Sequence, residues 1–153
     1  MARGKTRERI LDTALALFNA SGAAQVSTNS IAEEMEISPG NLYYHFRSKD
    51  DLIKDLFARY EQEMLSVLAV PGERLPDLED GWFFLHSLCE VIGRYRFIYR
   101  NFNDVSLLLP GLRRRFQGIL KLKAHTAETF IAGLVEAEIM QASAEERKAL
   151  AKN

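Results

Sequence analysis

The chain has 153 residues, 47% hydrophobic and 27% charged, enough for one domain or one small domain plus part of another, with a core that needs no disulfide or metal. Twenty basic side chains nearly balance twenty-one acidic ones, so the net charge of −1 excludes a simple polycation but not a chain whose charge is segregated along its length. The single cysteine, Cys89, excludes an intrachain disulfide and fits a reducing compartment; the basic start Met1-Ala2-Arg3-Gly4-Lys5 runs into a charged amphipathic stretch rather than a signal sequence, and no apolar run reaches the roughly 18 residues of a membrane span. The expectation is a cytoplasmic protein with no membrane association.

Helical periodicity dominates, and no strand-like alternation is long enough to count, so the expected fold class is all-α. Ile10, Ala14, Leu17 and Phe18 share one face of a first helix, which Gly22 stops after Asn19-Ala20-Ser21. A short second helix is predicted from Ser27-Thr28 to Met35, carrying the apolar pair Ile31 and Met35. A short third helix follows from Ser38, an N-cap residue with Pro39 at the first helical position, and carries Leu42 and Phe46. Ser48 caps a long fourth helix with Asp50 and Asp51 in its first turn, where they complement the dipole. Its apolar stripe runs Leu52, Ile53, Leu56, Phe57, Tyr60, Met64 and Leu68 and ends at Pro71-Gly72.

Beyond Pro71 the composition shifts. Residues 61–93 hold one basic residue, Arg74, and seven acidic ones, whereas residues 94–123 hold eight basic residues and the single acid Asp104. Helices are predicted over Trp82–Ile92, Tyr95–Leu109 and Leu112–Ile139, with a break at Pro110-Gly111. Ser143-Ala144-Glu145-Glu146 is a capping box opening a last helix in which Leu150 is the only large apolar residue. The chain is therefore expected to stop short of its final helices.

Two short helices separated by Glu36-Ile37 read as a helix-turn-helix, whose second helix enters a DNA major groove. In that helix Leu42 and Phe46 face inward, and Pro39, Gly40, Asn41, Tyr43, Tyr44 and His45 face outward. Aromatic residues interleaved with Gly, Asn and His suit contact with a partner better than a solvated face. Gly40 admits a sugar–phosphate backbone, Asn41 can pair with an adenine edge, and the tyrosine hydroxyls, His45 and Lys49 can reach phosphates. Thr28 opens the first short helix, where backbone N–H groups attract phosphate. The bland alternative, tyrosines packed between helices, competes at each position singly.

The run Thr28-Asn29-Ser30-Ile31-Ala32, then Ile37-Ser38-Pro39-Gly40-Asn41-Leu42-Tyr43-Tyr44-His45-Phe46-Arg47-Ser48-Lys49 with Leu52, resembles the TetR family of bacterial transcriptional regulators. The preceding Ile10-Leu11-x-x-Ala14-x-x-Leu17-Phe18 matches as well, and the resemblance covers roughly residues 5 to 60. It implies an all-α homodimer: a three-helix DNA-binding head (1–48), a connecting helix (49–71) and a C-terminal ligand-binding and dimerisation domain (72–153), here cut short. It implies a sequence-specific regulator, a repressor released from its double-stranded operator when a small apolar or amphipathic effector shifts the fourth helix and the two heads lose register with grooves about 34–36 Å apart. An effector-independent DNA-organising or protein-recruiting module is the alternative; no catalysis and no cofactor are expected. The operator contacts implied are Thr28, Asn29, Pro39, Gly40, Asn41, Tyr43, Tyr44, His45 and Lys49. One departure stands out: Glu36 occupies the turn position where the family very often has Gly, at a cost of about 1 kcal/mol if the backbone there is left-handed.

Three features of the C-terminal half remain. An effector pocket is expected between the helices carrying Phe84, Leu88, Phe102, Leu108 and Phe116, drawn from an aromatic set that is otherwise core. The basic residues of 94–123 are read as a solvated face, or as partners of the acidic 61–93 region, ahead of a second nucleic-acid surface or an arginine reaching an anionic effector. His86, Cys89 and Glu90 lie within about one helical turn, but a convincing metal site needs about four ligands, and none is predicted.

Overall fold

The computed structural model describes residues 2–69, 76–109, 111–140 and 142–151, except the side chains of residues 2, 3 and 108. The predicted breaks at Pro71-Gly72 and Pro110 lie outside the described residues. Among the described residues all regular structure is helical: α1 (Ala2–Ser21), α2 (Thr28–Glu34), α3 (Pro39–His45), α4 (Lys49–Leu68), α5 (Leu78–Arg94), α6 (Arg96–Arg100), α7 (Phe102–Leu108), α8 (Leu112–Glu136) and α9 (Ala144–Leu150). They form two compact units, Met1–Tyr60 with Ile92–Leu112, and Glu61–Val91 with Arg113–Asn153; α4 and α5 each contribute to both.

The first unit is built on the predicted stripes. Ile10, Leu11, Ala14 and Phe18 of α1, Ile31 and Ala32 of α2, Leu42 of α3 and Leu52, Ile53, Leu56 and Phe57 of α4 are all buried, whereas Leu17 is half-buried. Gly22 stops α1 at φ 85°, and its N–H donates to the Phe18 carbonyl at 2.9 Å. Arg7 pairs with Asp55 and stacks over the Phe46 ring at 4.8 Å, while Arg59 pairs with Glu8 and Asp12. These partly exposed ion pairs tether α1 to α4 at a gain of about 0–1 kcal/mol each.

The segment 92–112 departs from the single helix predicted over Tyr95–Leu109. The backbone leaves helical geometry at Tyr95 (φ −110°, ψ 33°) and again at Asn101 (φ −116°, ψ 29°), so α5, α6 and α7 are separate pieces. The cause is tertiary. The buried Asn19 side chain of α1 donates Nδ2 to the Arg94 carbonyl (2.8 Å) and accepts the Phe97 N–H on Oδ1 (3.0 Å), pairing one carbonyl and one N–H on the two sides of the break. Phe97 and Ile98 are fully buried, with the Phe97 ring 5.4 Å from that of Phe18. The Tyr60 and Tyr99 hydroxyls share a hydrogen bond at 2.7 Å.

In the second unit α5 begins four residues before the predicted Trp82, because Asp77 and Asp80 cap one another's backbone: Asp80 N–H to Asp77 Oδ1 at 2.9 Å and Asp77 N–H to Asp80 Oδ2 at 3.0 Å. Arg115 forks onto both carboxylate oxygens of Glu61, so at this position the basic 94–123 region pairs with the acidic 61–93 region as favoured from sequence; that hydrogen bond holds the guanidinium pKa above its ordinary value. Thr126 Oγ1 donates to the Leu68 carbonyl at 3.4 Å, and the Phe84 and Phe130 rings stack at 5.8 Å. α8 ends at Glu136, three residues before the predicted Ile139, because Glu138 turns left-handed at φ 59° and the Ile139 N–H closes onto the Leu134 carbonyl. The predicted Ser143 capping box opens α9, which buries no side chain.

Candidate nucleic-acid interface

Local chemistry fixes α2 and α3 at both ends. Ser27 caps α2 by accepting the Ser30 N–H at 3.0 Å, and Ser30 Oγ returns the contact to the Ser27 N–H at 3.0 Å. After the cap at Met35, Glu36 adopts φ 54°. Its N–H donates to the Glu33 carbonyl and the Ile37 N–H to the Ala32 carbonyl, both at 3.0 Å. That is a Schellman stop with a glutamate at the left-handed position, so the departure from Gly leaves the turn geometry in place. Ser38 then accepts the Asn41 N–H at 3.2 Å with Pro39 at the first helical position, and α3 ends where Phe46 becomes extended.

With Leu42 and Phe46 buried, α3 turns Pro39, Gly40, Asn41, Tyr43 and Tyr44 outward. Tyr43 is 53% and Tyr44 63% exposed, an apolar load that a seven-residue helix does not otherwise bury. His45 is half-buried and meets the Tyr44 ring edge-on at 5.3 Å. Asn29 is exposed on α2 and Thr28 is half-buried at its start. Thr28, Tyr43 and Lys49 come together with Gln25, Arg47 and Ser48 around one shallow concavity. Asn29, Pro39, Gly40, Asn41, Tyr44 and His45 lie outside it. Lys49 Nζ also donates to the Ala23 carbonyl at 2.8 Å, so this cation holds the α1–α2 loop as well as facing the concavity.

Gln25 and Arg47 were missed from sequence. The signal for Arg47 was a second cation two positions before Lys49; none marked Gln25.

The second unit holds an apolar cavity of about 430 Å³, lined by Trp82, Phe84 and Leu85 of α5, by Phe130, Ile131 and Leu134 of α8, and by Met140 and Leu150. Of the five residues expected to form a pocket, Phe84 alone lines it. Leu88 and Phe102 are half-buried elsewhere, Phe116 is a core residue, and the Leu108 side chain lies outside the described residues. Trp82 and Phe83 are 72% and 71% exposed, against the reading of the aromatic set as core. His86 stacks on Trp82 at 6.4 Å, while Cys89 and Glu90 are exposed. Among the described residues no helix is long and apolar enough to cross a membrane.

Residues 10–56 match the profile of bacterial regulatory proteins of the tetR family, and residues 59–153 match that of the bacterial transcriptional repressor TetR. The chain belongs to the TetR family of bacterial regulatory proteins. A TetR-family transcriptional regulator from Marinobacter aquaeolei VT8 superposes with a TM-score of 0.88 at 36% identity, over 95% of this chain and 72% of that one. The HTH-type transcriptional regulator UidR of Escherichia coli K12 is 30% identical over 129 residues, 83% of this chain and 63% of its own length. The HTH-type transcriptional regulator AcrR of Shigella flexneri is 35% identical over 97 residues, 60% of this chain and 44% of its own. The chain thus spans less than two thirds of these curated relatives. An all-α TetR fold with an N-terminal helix-turn-helix and a helical C-terminal part is what sequence and structure share.

Proposed function

We propose that this TetR-family chain is a sequence-specific DNA-binding regulator, a repressor that acts as a homodimer in the cytoplasm, without catalysis or a cofactor, and leaves its operator when a small apolar effector binds. The observation that carries the reading is the outward face of α3. Two exposed tyrosines, Asn41 and Gly40 stand on a short helix that its caps and two buried side chains hold rigid. Such a face gains free energy only by covering itself, and its length and residue types fit a major groove.

The roles divide by chemistry. Asn41 and Asn29 read base edges; Thr28, Tyr43, Tyr44, His45, Lys49 and the newly placed Arg47 engage phosphates; Pro39 and Gly40 allow the backbone to come close. Residues 1–48 act as the head, 49–71 as the connector and 72–153 as the effector and dimerisation part. The apolar lining of the α5–α8 cavity supports a neutral, apolar effector with Phe84 in contact, rather than an anion paired to an arginine. α4 contributes to both units, which supports its role as the lever between effector and head.

The test is DNA selection with the purified protein at physiological salt. Enrichment of a palindrome whose half-sites lie about one helical turn apart is expected. Binding that is only general and salt-sensitive, unchanged after bound ligand has been stripped by unfolding and refolding, refutes the operator reading in favour of a DNA-organising one.

A further inference from the structure

We infer that Asn19 is a positioning residue, whose side-chain amide ties the DNA-binding head to both sides of the α5–α6 break, so that a displacement of α5 reaches α3 through α1 as well as through α4. The inference rests on reading the α5–α8 cavity as the effector site.

Asn19 lies on α1, the helix whose Ile10, Leu11, Ala14 and Phe18 form the floor of the head. Its side chain is turned to the other partner, the break after Arg94. Nδ2 holds the last carbonyl of α5, and Oδ1 holds an N–H in the first turn of α6. A carboxamide is the only short side chain with a donor and an acceptor on two separate atoms fixed in one plane, so it can reach both groups at once; Asp lacks the donor, Ala and Leu lack both, and the hydroxyl of Ser puts both on a single atom. Two further contacts lie beside it. Arg100 Nη1 donates to the Asn19 carbonyl at 3.4 Å, and the Asn101 amide sits so close to Gly22 that a Cβ there would lie 3.3 Å from its oxygen.

α5 is unbroken from Leu78 to Arg94, about 24 Å at the α-helical rise. Its first two turns line the cavity through Leu78, Trp82, Phe84 and Leu85, and its last carbonyl is the one Asn19 holds. A helix transmits a shift along its axis with little loss, because each residue is bonded to the fourth before it. Movement at the cavity end therefore arrives at a hydrogen bond to the head. A side chain that merely filled space would sever nothing when replaced by one of equal volume.

A built-in surrogate removes the need for a known effector. Ala127 lines the cavity on α8, and Ala127→Phe fills part of it with a ring. This substitution is made in three backgrounds of the full chain: Asn19, Asn19→Leu with the same branched shape, and Asn19→Ala in case leucine overpacks. Each is checked for a cooperative melt. Hydrogen exchange of peptides covering residues 28–45 is followed without DNA, and affinity for the selected operator duplex is followed separately. With Asn19 present, filling the cavity is expected to change exchange in α2 and α3, and operator affinity, by about fivefold or more. In the Leu and Ala backgrounds the change is expected to fall within twofold. An equal change in all three backgrounds overturns the proposal, because α4 then carries the signal alone. So does no change in any of them. If no operator can be selected while the exchange pattern holds, the repressor reading fails and the Asn19 coupling stands.

Discussion

Replacing Glu36 with glycine should stabilise the protein and leave DNA binding untouched. Glu36 sits at φ 54° in the Schellman stop of α2, locked by the Glu36 N–H to Glu33 and Ile37 N–H to Ala32 hydrogen bonds. A side chain with a Cβ is strained there by about 1–2 kcal/mol, because Cβ crowds the following carbonyl. Glycine removes that strain but gives the unfolded chain back about 0.4–1 kcal/mol of conformational freedom. The difference is a gain of about 0.5–1 kcal/mol, or a melting temperature about 1–4 °C higher for a chain of this size.

Thermal unfolding followed by circular dichroism reads this directly, with Glu36→Ala as the control. Alanine removes the carboxylate but keeps the Cβ, so it should not raise the melting temperature. Operator affinity should stay within twofold in both variants, because the backbone already has the geometry glycine would take and α3 is already in position. Equal melting temperatures for the Gly and Ala variants would defeat the strain argument. A large change in affinity would show that glutamate had tilted α3 after all. The molecule supplies an internal repeat: Glu138 at φ 59° closes α8 through the Ile139 N–H on Leu134 and its own N–H on Val135. Glu138→Gly should gain a similar amount, and the two gains should add, since the turns share no partner.

Tyr99→Phe leaves the hydroxyl of Tyr60, a fully buried residue, without the bond it makes at 2.7 Å, and should cost about 1–3 kcal/mol in a denaturant melt; the Tyr60→Phe,Tyr99→Phe pair should cost less than the two single changes summed. Burial pushes the Lys123 ammonium down to about 8 from its usual 10.5. Between those values the unfolded chain binds more protons than the folded one, so the penalty is fully present below about pH 8 and is relieved as pH rises toward 10.5. Since this side chain keeps much of its solvent contact, the gain should be on the order of 1 kcal/mol, read as a rise in melting temperature that Lys123→Met abolishes. Asn41→Ala should relax preference at one base position on a panel of operator variants, whereas Arg47→Ala should weaken binding to all of them and lower the salt slope by about one; equal loss of selectivity in both would undo the division of roles.

Legibility divided along the distance over which each residue is satisfied. Ser27, Ser38, Ser48 and Ser143 each cap a backbone N–H three residues on, so sequence placed those helix starts to within a residue. Gly22 and the outward face of α3 were legible for the same reason, since one turn of helix contains the whole argument. Glu36 could be flagged as the residue out of pattern, but only the backbone shows that the turn keeps its geometry with the strain. The break at Tyr95 was invisible because its hydrogen-bond partner is 75 residues away on α1. The pocket failed similarly. Periodicity gives Phe84, Phe102 and Phe116 the same apolar standing, and nothing in the spacing says that α5 faces α8 through Phe84 and Phe130 while Phe116 goes to the core.

The polar residues that join elements nevertheless leave a faint trace. Asn19 falls eight positions after Leu11 and beside Phe18, on a row that should be wholly apolar if α1 met only hydrophobic neighbours. Thr126 of α8 is likewise buried, and its hydroxyl reaches the last carbonyl of α4. A buried polar group costs about 1–3 kcal/mol if it finds no partner. An amide on an apolar stripe therefore needs hydrogen-bond partners from another element. Asn19 thus marks a position where another element must supply polar groups, but the sequence names neither that element nor its break. The interruption is at the α5–α6 junction, where a straight helix would have offered no free carbonyl to hold.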